Sequence, residues 1–275
     1  GPEDLESLVR YRRASPTCPY ETTRSMLGNG AKVLWIANTV DRCLEAAAQF
    51  ADLAPRVYHS RFRYMDRIRR HSELVDAFRS PGPTLAICTQ VAEMSLDLSA
   101  DLLITELAPV PALIQRLGRL NRRATPANPV PPAPFVVILP ATALPYDETD
   151  LVAASSWLED LGAADQSQQS LVAAWTSGMA GNNGLFHREW LDGGMRTVPG
   201  PCREGSPSIS VLLPEDARAA RDQPSQLAEL VIPMPPPRFK GWQDWPSQGY
   251  ARVAPPGTIS YDPLRGAQWI PQARP

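Results

Sequence analysis

The sequence predicts an α/β fold with a parallel sheet flanked by helices, followed by a smaller mixed α+β accessory domain. Between residues 31 and 140, short continuous apolar runs alternate with amphipathic stretches, which is typical of strands that are buried on both faces and joined by helices. Repeated strand–helix–strand units form parallel sheets with helices on both faces. From residue 233 onward the chain is rich in Pro, Trp and Gly, which indicates irregular β structure and loops.

Three segments are therefore expected along the chain. Residues 1–30 are an N-terminal lead-in, residues 31–140 form the α/β domain, and residues 141–275 form the accessory domain. The chain opens on Gly1-Pro2 rather than on Met, as after cleavage of a tag, so we expect a piece of a longer protein.

The elements follow in order along the chain. The sequence predicts five strands: buried strands over residues 32–37, 84–88 and 102–106, a short strand over residues 56–60 and a last strand over residues 135–140. Periodic or Ala-rich stretches predict three helices in the same domain, over residues 41–53, 64–78 and 111–123. In the accessory domain, the patterns predict two helices and a strand, over residues 148–163, 167–178 and 208–214.

Composition excludes several classes of function. The 27 basic and 29 acidic residues give a net charge of −2, so charge alone does not argue for nucleic-acid binding. No apolar run approaches the roughly 20 residues of a membrane span, so no membrane partner is expected. The four cysteines are Cys18, Cys43, Cys88 and Cys202. They form no C-x-x-C pair, so we expect no metal site. A reduced, cytoplasmic protein is expected.

The stretch "LIQRLGRLNRR" at residues 113–123 carries an unusual number of arginines. On a helix, three polar side chains would fall within about 60° of one another: Gln115, Arg119 and Arg122. Three leucines would lie on nearly the opposite side and face a core: Leu113, Leu117 and Leu120. Gly118 lies beside the polar stripe and lets a ligand or another backbone come close. A solvated, Arg-rich helix face is the alternative.

Polar residues also follow the predicted strand at residues 84–88. Thr89 and Gln90 come where this strand ends, and Asp97 follows in the same loop. Ligands of open α/β sheets bind at the carboxyl ends of the strands. This loop and the Arg-bearing segment together can therefore line a cleft for phosphates and ribose.

Four motifs in this order and spacing resemble the second RecA-like lobe of superfamily 2 helicases: "LWIANTVDR", "VYHSRF", "TQVAEMSLDL" and "QRLGRLNR". The last two motifs are similar in sequence to those of the CRISPR-associated helicase-nuclease of type I interference systems. The resemblance covers about residues 30–140. It implies a RecA-like fold for that domain.

The resemblance implies a role for each matching position in binding ATP. Arg119 and Arg122 match arginines that reach the γ-phosphate of ATP bound between two lobes, where such residues stabilise the charge that develops during transfer. Gln115 matches a residue that faces the nucleotide. Asp97 matches the carboxylate that accepts a ribose hydroxyl, and Gly118 beside the polar stripe leaves room for the cofactor to come close.

The resemblance also assigns six residues to the sugar-phosphate backbone of single-stranded DNA: Asn38, Thr39, Ser60, Arg61, Thr89 and Gln90. Contacts to the backbone position a strand without reading its sequence, as a translocase requires. Asn38 and Thr39 have an alternative role, since either can simply cap the helix that follows.

Two elements of a complete motor are missing from the sequence. No G-x-x-x-x-G-K-[ST] phosphate loop and no Asp-Glu-x-His box are present. The family's nuclease centre is built on a His-Asp pair, and none of the three histidines precedes an Asp. ATP and Mg²⁺ are thus expected to be held mainly by a first lobe that this chain lacks, so we expect the chain alone neither to hydrolyse ATP nor to cut DNA.

The resemblance therefore implies the C-terminal motor portion of an ATP-dependent DNA helicase in antiviral CRISPR interference. The implied partners are single-stranded DNA, the first RecA-like lobe, the nuclease domain and the CRISPR surveillance complex. Two alternatives remain: a lobe of another superfamily 2 RNA or DNA-repair helicase, and a non-enzymatic module that binds a partner or an inhibitor protein.

Overall fold

A computed structural model describes residues 2–94, 96–179 and 208–271. Cys202 lies outside these ranges. Within them, no helix is both long and apolar enough to cross a bilayer.

A seven-stranded sheet forms the centre of the larger unit. Its strands in chain order are β1 Val9–Arg13, β2 Lys32–Ile36, β3 Arg56–Tyr58, β4 Thr84–Cys88, β5 Leu102–Glu106, β6 Ala133–Ile138 and β7 Gln166–Ser167. They lie in the order β3-β4-β2-β5-β6-β1-β7. The first six are parallel to their neighbours, and β7 is antiparallel to β1.

Ten α-helices accompany the strands in the described ranges: α1 Pro2–Glu6, α2 Pro19–Gly28, α3 Val40–Gln49, α4 Tyr64–Arg79, α5 Val91–Met94, α6 Val110–Leu117, α7 Glu148–Asp160, α8 Gln168–Met179, α9 Pro214–Asp222 and α10 Leu227–Leu230. Successive strand residues point to opposite faces. Val33 and Trp35 therefore pack with α2 and α3, while Leu34 and Ile36 belong to the core shared with α4, α6, α7 and α8. The parallel sheet covered on both faces confirms the predicted fold class.

The accessory unit is a smaller mixed structure. Its strands are β8 Ile209–Leu212, β9 Ile232–Met234, β10 Ser247–Gln248, β11 Ala251–Val253, β12 Ile259–Asp262 and β13 Gly266–Trp269. The first four form a sheet in the order β10-β11-β8-β9, and β12 and β13 form an antiparallel hairpin. Trp245 and Trp269 pack against its apolar core.

The large sheet reaches beyond the predicted residues 31–140 on both sides. β1 pairs with β6, although it belongs to the predicted lead-in. Beyond residue 140, α7 and α8 bury Trp157 and Leu171 in the same core as the sheet. The separate sheet of the accessory unit is made by strands that begin at Ile209.

The helix predicted over residues 111–123 is wrong at its carboxyl end, because α6 ends at Leu117. The backbone beyond it is committed elsewhere: Ala100 N donates to Arg119 O at 2.9 Å, and Asn121 N donates to Ala100 O at 3.0 Å. Asn121 also has a φ of +48°, which a right-handed helix does not accommodate. The predicted leucine face is nevertheless buried, at Leu113, Leu117 and Leu120.

Candidate nucleotide and nucleic-acid sites

Three neighbouring strands end at one edge of the sheet, and each is followed by a pair of the predicted nucleic-acid residues. β3, β4 and β2 are adjacent and parallel, so their carboxyl ends lie side by side. The pairs that follow them are Ser60 and Arg61, Thr89 and Gln90, and Asn38 and Thr39. The sheet thus brings all six residues to one edge, which we call the strand-end row.

Direct contacts link the members of the strand-end row. The Gln90 side-chain amide donates to the Asn38 carbonyl at 2.6 Å. The Arg61 guanidinium pairs with Asp41 in the first turn of α3 at 2.5 Å, next to Thr39. These contacts hold three loops that are far apart in sequence as one surface.

Two of the six side chains face inward. Asn38 is 1% exposed, and its amide donates to the Leu107 carbonyl at 2.7 Å. Thr89 is also buried, at 3% exposure. Thr39 caps α3, since its hydroxyl accepts from Arg42 N at 3.3 Å. The fold itself therefore uses Asn38 and Thr39, and their contact with DNA stays a prediction.

Asp97 is the centre of a second group, on the exposed surface beyond α5. Its carboxylate lies 3.2 Å from Arg122 Nε and 3.3 Å from Arg79 Nη2. All three side chains are 42% to 58% exposed. Gln115 is exposed on α6. The atoms nearest to a Cβ at Gly118 would be those of the preceding turn's backbone, with the Gln115 carbonyl oxygen at 3.2 Å.

Arg119 is engaged with the loop rather than directed outward. Its guanidinium donates to the carbonyls of Ala92, at 3.0 Å, and of Glu93. Because α6 ends before Arg119, the helical grouping of Gln115 with Arg119 and Arg122 does not apply. In this conformation Arg119 holds α5 against the segment that follows α6.

Arg116 is a buried residue for which the sequence analysis proposed no role. It is fully buried and pairs with Glu93 at 3.0 Å. It also donates to the Thr105 hydroxyl at 2.8 Å, the Glu106 carbonyl at 3.0 Å and the Tyr146 hydroxyl at 3.1 Å. The helical spacing contained this signal, since Arg116 follows Leu113 by three residues and shares its buried face.

A second buried acid, Glu106, lies at the end of β5 beside the strand-end row. Its carboxylate accepts from Asn38 N at 2.6 Å and pairs with Arg42 at 2.9 Å. It therefore orders the turn between β2 and α3. Its position as the one charged residue of β5 was the available signal.

His59 is a fully buried histidine after β3. Burial lowers its pKa to about 3, so the ring is neutral at physiological pH. Its Nε2 lies 2.9 Å from the Arg265 carbonyl, and its Nδ1 accepts from Arg61 N at 3.1 Å. This pattern requires the proton on Nε2, which suits a structural bridge. Among the described residues, no group of three or more His, Cys, Asp or Glu could hold a metal ion.

Residues 29–125 match the protein family described as the C-terminal part of the CRISPR-associated nuclease/helicase Cas3. A putative CRISPR-associated nuclease/helicase Cas3 from Myxococcus xanthus is 50% identical over 277 residues, which cover 98% of this chain. The chain is related to the C-terminal part of Cas3. An Escherichia coli endonuclease/helicase Cas3 is 32% identical over 43% of the chain and 14% of its own length.

Solved structures share the fold of this Cas3-related chain. The crystal structure of T. fusca Cas3 with ATP matches 97% of the chain and 42% of its own, with a TM-score of 0.65 and 20% identity. A chain of a CRISPR RNA-guided surveillance complex in a pre-nicking state matches 97% of this chain and 45% of its own, with a TM-score of 0.60 and 18% identity. These likenesses extend into the accessory unit.

The Cas3-related chain spans 37% of the length of the Myxococcus xanthus relative. The match to the family, over residues 29–125, begins where α2 ends and includes both the strand-end row and the Asp97 group. The recognised superfamily 2 resemblance is therefore confirmed.

Proposed function

We propose that this region forms the second motor lobe and accessory domain of an ATP-dependent translocase that moves along single-stranded DNA in type I CRISPR interference. The observation that supports this best is that one segment joins the strand-end row to the Asp97 group and is held by the hydrogen bonds of Arg116 and Arg119. The loop from Thr89 to Asp97 begins in the strand-end row and ends at the Asp97–Arg122 pair. Arg116 and Arg119 hold the middle of that loop.

The strand-end row is proposed to grip the sugar-phosphate backbone. It offers backbone groups, hydroxyls and one guanidinium along an edge three strands wide. Such contacts position a strand and do not depend on its bases.

The Asp97 group is proposed to face ATP that is bound mainly by a first lobe. An exposed carboxylate beside an exposed guanidinium fits a ribose hydroxyl next to a phosphate. ATP supplies the transferable phosphoryl group. Arg122 would balance its negative charge, and Asp97 would orient the sugar. Arg119 reaches the same ligand in this proposal only by releasing the carbonyls of Ala92 and Glu93.

The proposal requires that motion in one group reaches the other. Arg116 binds Glu93 in the loop and Thr105 at the end of β5, so a displacement of α6 would be transmitted to both. This network is therefore proposed to couple lobe closure to the DNA grip.

The intact protein that contains this region provides the test. We expect its ATPase activity to be stimulated by single-stranded DNA and not by RNA of the same length, and the isolated chain to be inactive with ATP and Mg²⁺. Stimulation by RNA alone would favour a different superfamily 2 motor. Metal-dependent ATP hydrolysis by the isolated chain would contradict the assignment of the phosphate site to another lobe.

A further inference from the structure

The hairpin of β12 and β13 contacts the loop between β3 and α4, which carries Ser60 and Arg61. Ala267 N donates to the Arg61 carbonyl at 2.7 Å, so β13 bonds directly to the backbone of that loop. The bond joins residues about 200 positions apart in the chain. It lies next to the strand-end row.

The buried ring of His59 makes a second connection. Its Nε2–H donates to the Arg265 carbonyl at 2.9 Å, while Nδ1 accepts from Arg61 N at 3.1 Å. One imidazole thus bonds to the hairpin on one side and to the loop on the other. Phe62 stacks on it with ring centroids 4.6 Å apart.

Gly266 lies at the point of closest approach. Its φ is +78°, and a Cβ there would meet the Arg61 carbonyl oxygen at 2.5 Å and His59 Cε1 at 2.6 Å. The first of these atoms belongs to the backbone, so it could move only if the loop moved. Any side chain at residue 266 would therefore push the loop away from the hairpin.

Arg63 fastens the other end of the loop. Its guanidinium lies 4.3 Å from the centre of the Tyr261 ring and pairs with Asp216 at 2.7 Å. The Tyr261 hydroxyl in turn bonds to Asp66 in α4. Both ends of the five-residue loop are therefore bound by the accessory unit, whereas the Arg61 side chain extends to Asp41 of the large unit.

We propose that this hairpin positions the β3–α4 loop for contact with the nucleic-acid backbone, with Gly266 and His59 as positioning residues that act through Arg61. This inference rests on the proposed function, because it takes Ser60 and Arg61 as part of the DNA grip. It gives the accessory unit a defined task within the motor. The hairpin itself need not touch DNA.

The test uses Gly266→Ala in the intact protein, with Gly257→Ala as the matched control. Gly257 has nearly the same φ, +77°, but a Cβ there would meet nothing within 4 Å. Both variants strain the backbone, and only Gly266→Ala displaces the loop. We expect Gly266→Ala to bind a fluorescent oligothymidine about fivefold more weakly and to show faster hydrogen exchange across residues 59–63. Gly257→Ala should match the wild type in both measurements.

A double-mutant cycle with Arg61→Ala distinguishes positioning from general damage. If Gly266 acts through Arg61, adding Gly266→Ala to Arg61→Ala should weaken binding no further. Additive losses, or wild-type binding by Gly266→Ala despite faster exchange, would overturn the positioning role. Wild-type binding by Arg61→Ala would instead remove this loop from the DNA grip and so correct the proposed function.

Discussion

The carboxylate of Asp97 lies 3.2 Å from the guanidinium of Arg122, so the structure pairs two residues for which the family resemblance implies contact with the same nucleotide. They are 25 positions apart and come from different loops. Arg79, at the end of α4, holds the same carboxylate from the other side at 3.3 Å. Asp97 would therefore keep a cationic neighbour if Arg122 turned to a ligand, as proposed.

Arg122→Ala in the intact protein should lower kcat for DNA-stimulated ATP hydrolysis by about 10³-fold, because the charge that develops on the phosphoryl group loses its guanidinium. The matched control is Arg79→Ala, which removes the other exposed partner of Asp97. We expect that control to stay within about threefold of the wild type, since exposed ion pairs contribute little. Steady-state ATPase assays check both. Equal losses in the two variants would mean that the ion pairs serve the structure alone.

Arg116→Ala should destabilise the fold by roughly 3–5 kcal/mol. The substitution removes a fully buried cation that faces Glu93 and bonds to Thr105 and Glu106. Arg123→Ala, an exposed arginine seven positions later, should change the free energy of unfolding by less than about 0.5 kcal/mol. Urea unfolding followed by circular dichroism measures both. A mild effect of Arg116→Ala would show that water replaces the guanidinium.

His59 should make stability depend on pH. The unfolded imidazole binds a proton below its ordinary pKa of 6.5, whereas burial holds the native pKa at about 3. The unfolded state thus binds more protons over this range, and the free energy of unfolding falls as the pH is lowered through it. The slope from this group is at most about 1.4 kcal/mol per pH unit.

His59→Gln keeps an N–H donor for the Arg265 carbonyl but does not titrate. The difference in free energy of unfolding between wild type and variant should therefore shift in favour of the variant from pH 6.5 to pH 4.5. Urea titrations at several pH values measure this difference. A difference that does not vary with pH would mean that the native ring does bind a proton there.

Cys43 and Cys88 should resist alkylation in the folded protein, while Cys18 should react. The two residues are fully buried, and burial raises the pKa of each thiol, so neither access nor thiolate is available. Cys18 is partly exposed. Iodoacetamide labelling followed by peptide mass spectrometry distinguishes the three sites. Labelling of Cys88 at the rate of Cys18 would indicate local opening of β4.

The sequence predicted the elements of the central sheet well. β4 and β5 have their predicted bounds, and α4 ends one residue later than predicted. These predictions succeed because continuous apolar runs and helical periodicity are local signals. β1 was missed because "VRYRR" is charged and only its central Tyr11 is fully buried. Its place in the sheet depends on pairing with residues more than 100 positions away.

The strand-end row was also predictable, since the carboxyl ends of neighbouring parallel strands must meet. The path of the chain after α6 was not. Whether "GRLNRR" continues a helix depends on residue 100, whose backbone bonds to Arg119 and Asn121 on both sides. The contact between the hairpin and His59 had no local signal either, because Gly266 looks like an ordinary turn glycine until its neighbours are known.

The place of β1 has a consequence for how the protein is made. This strand is synthesised more than 100 residues before its partners, and it lies between β6, whose Ala133 pairs with Tyr11, and β7, whose Ser167 pairs with Val9. The central sheet cannot be completed until synthesis has passed residue 167. Pairings over such distances form slowly, so during translation β1 waits for its partners with both edges unpaired.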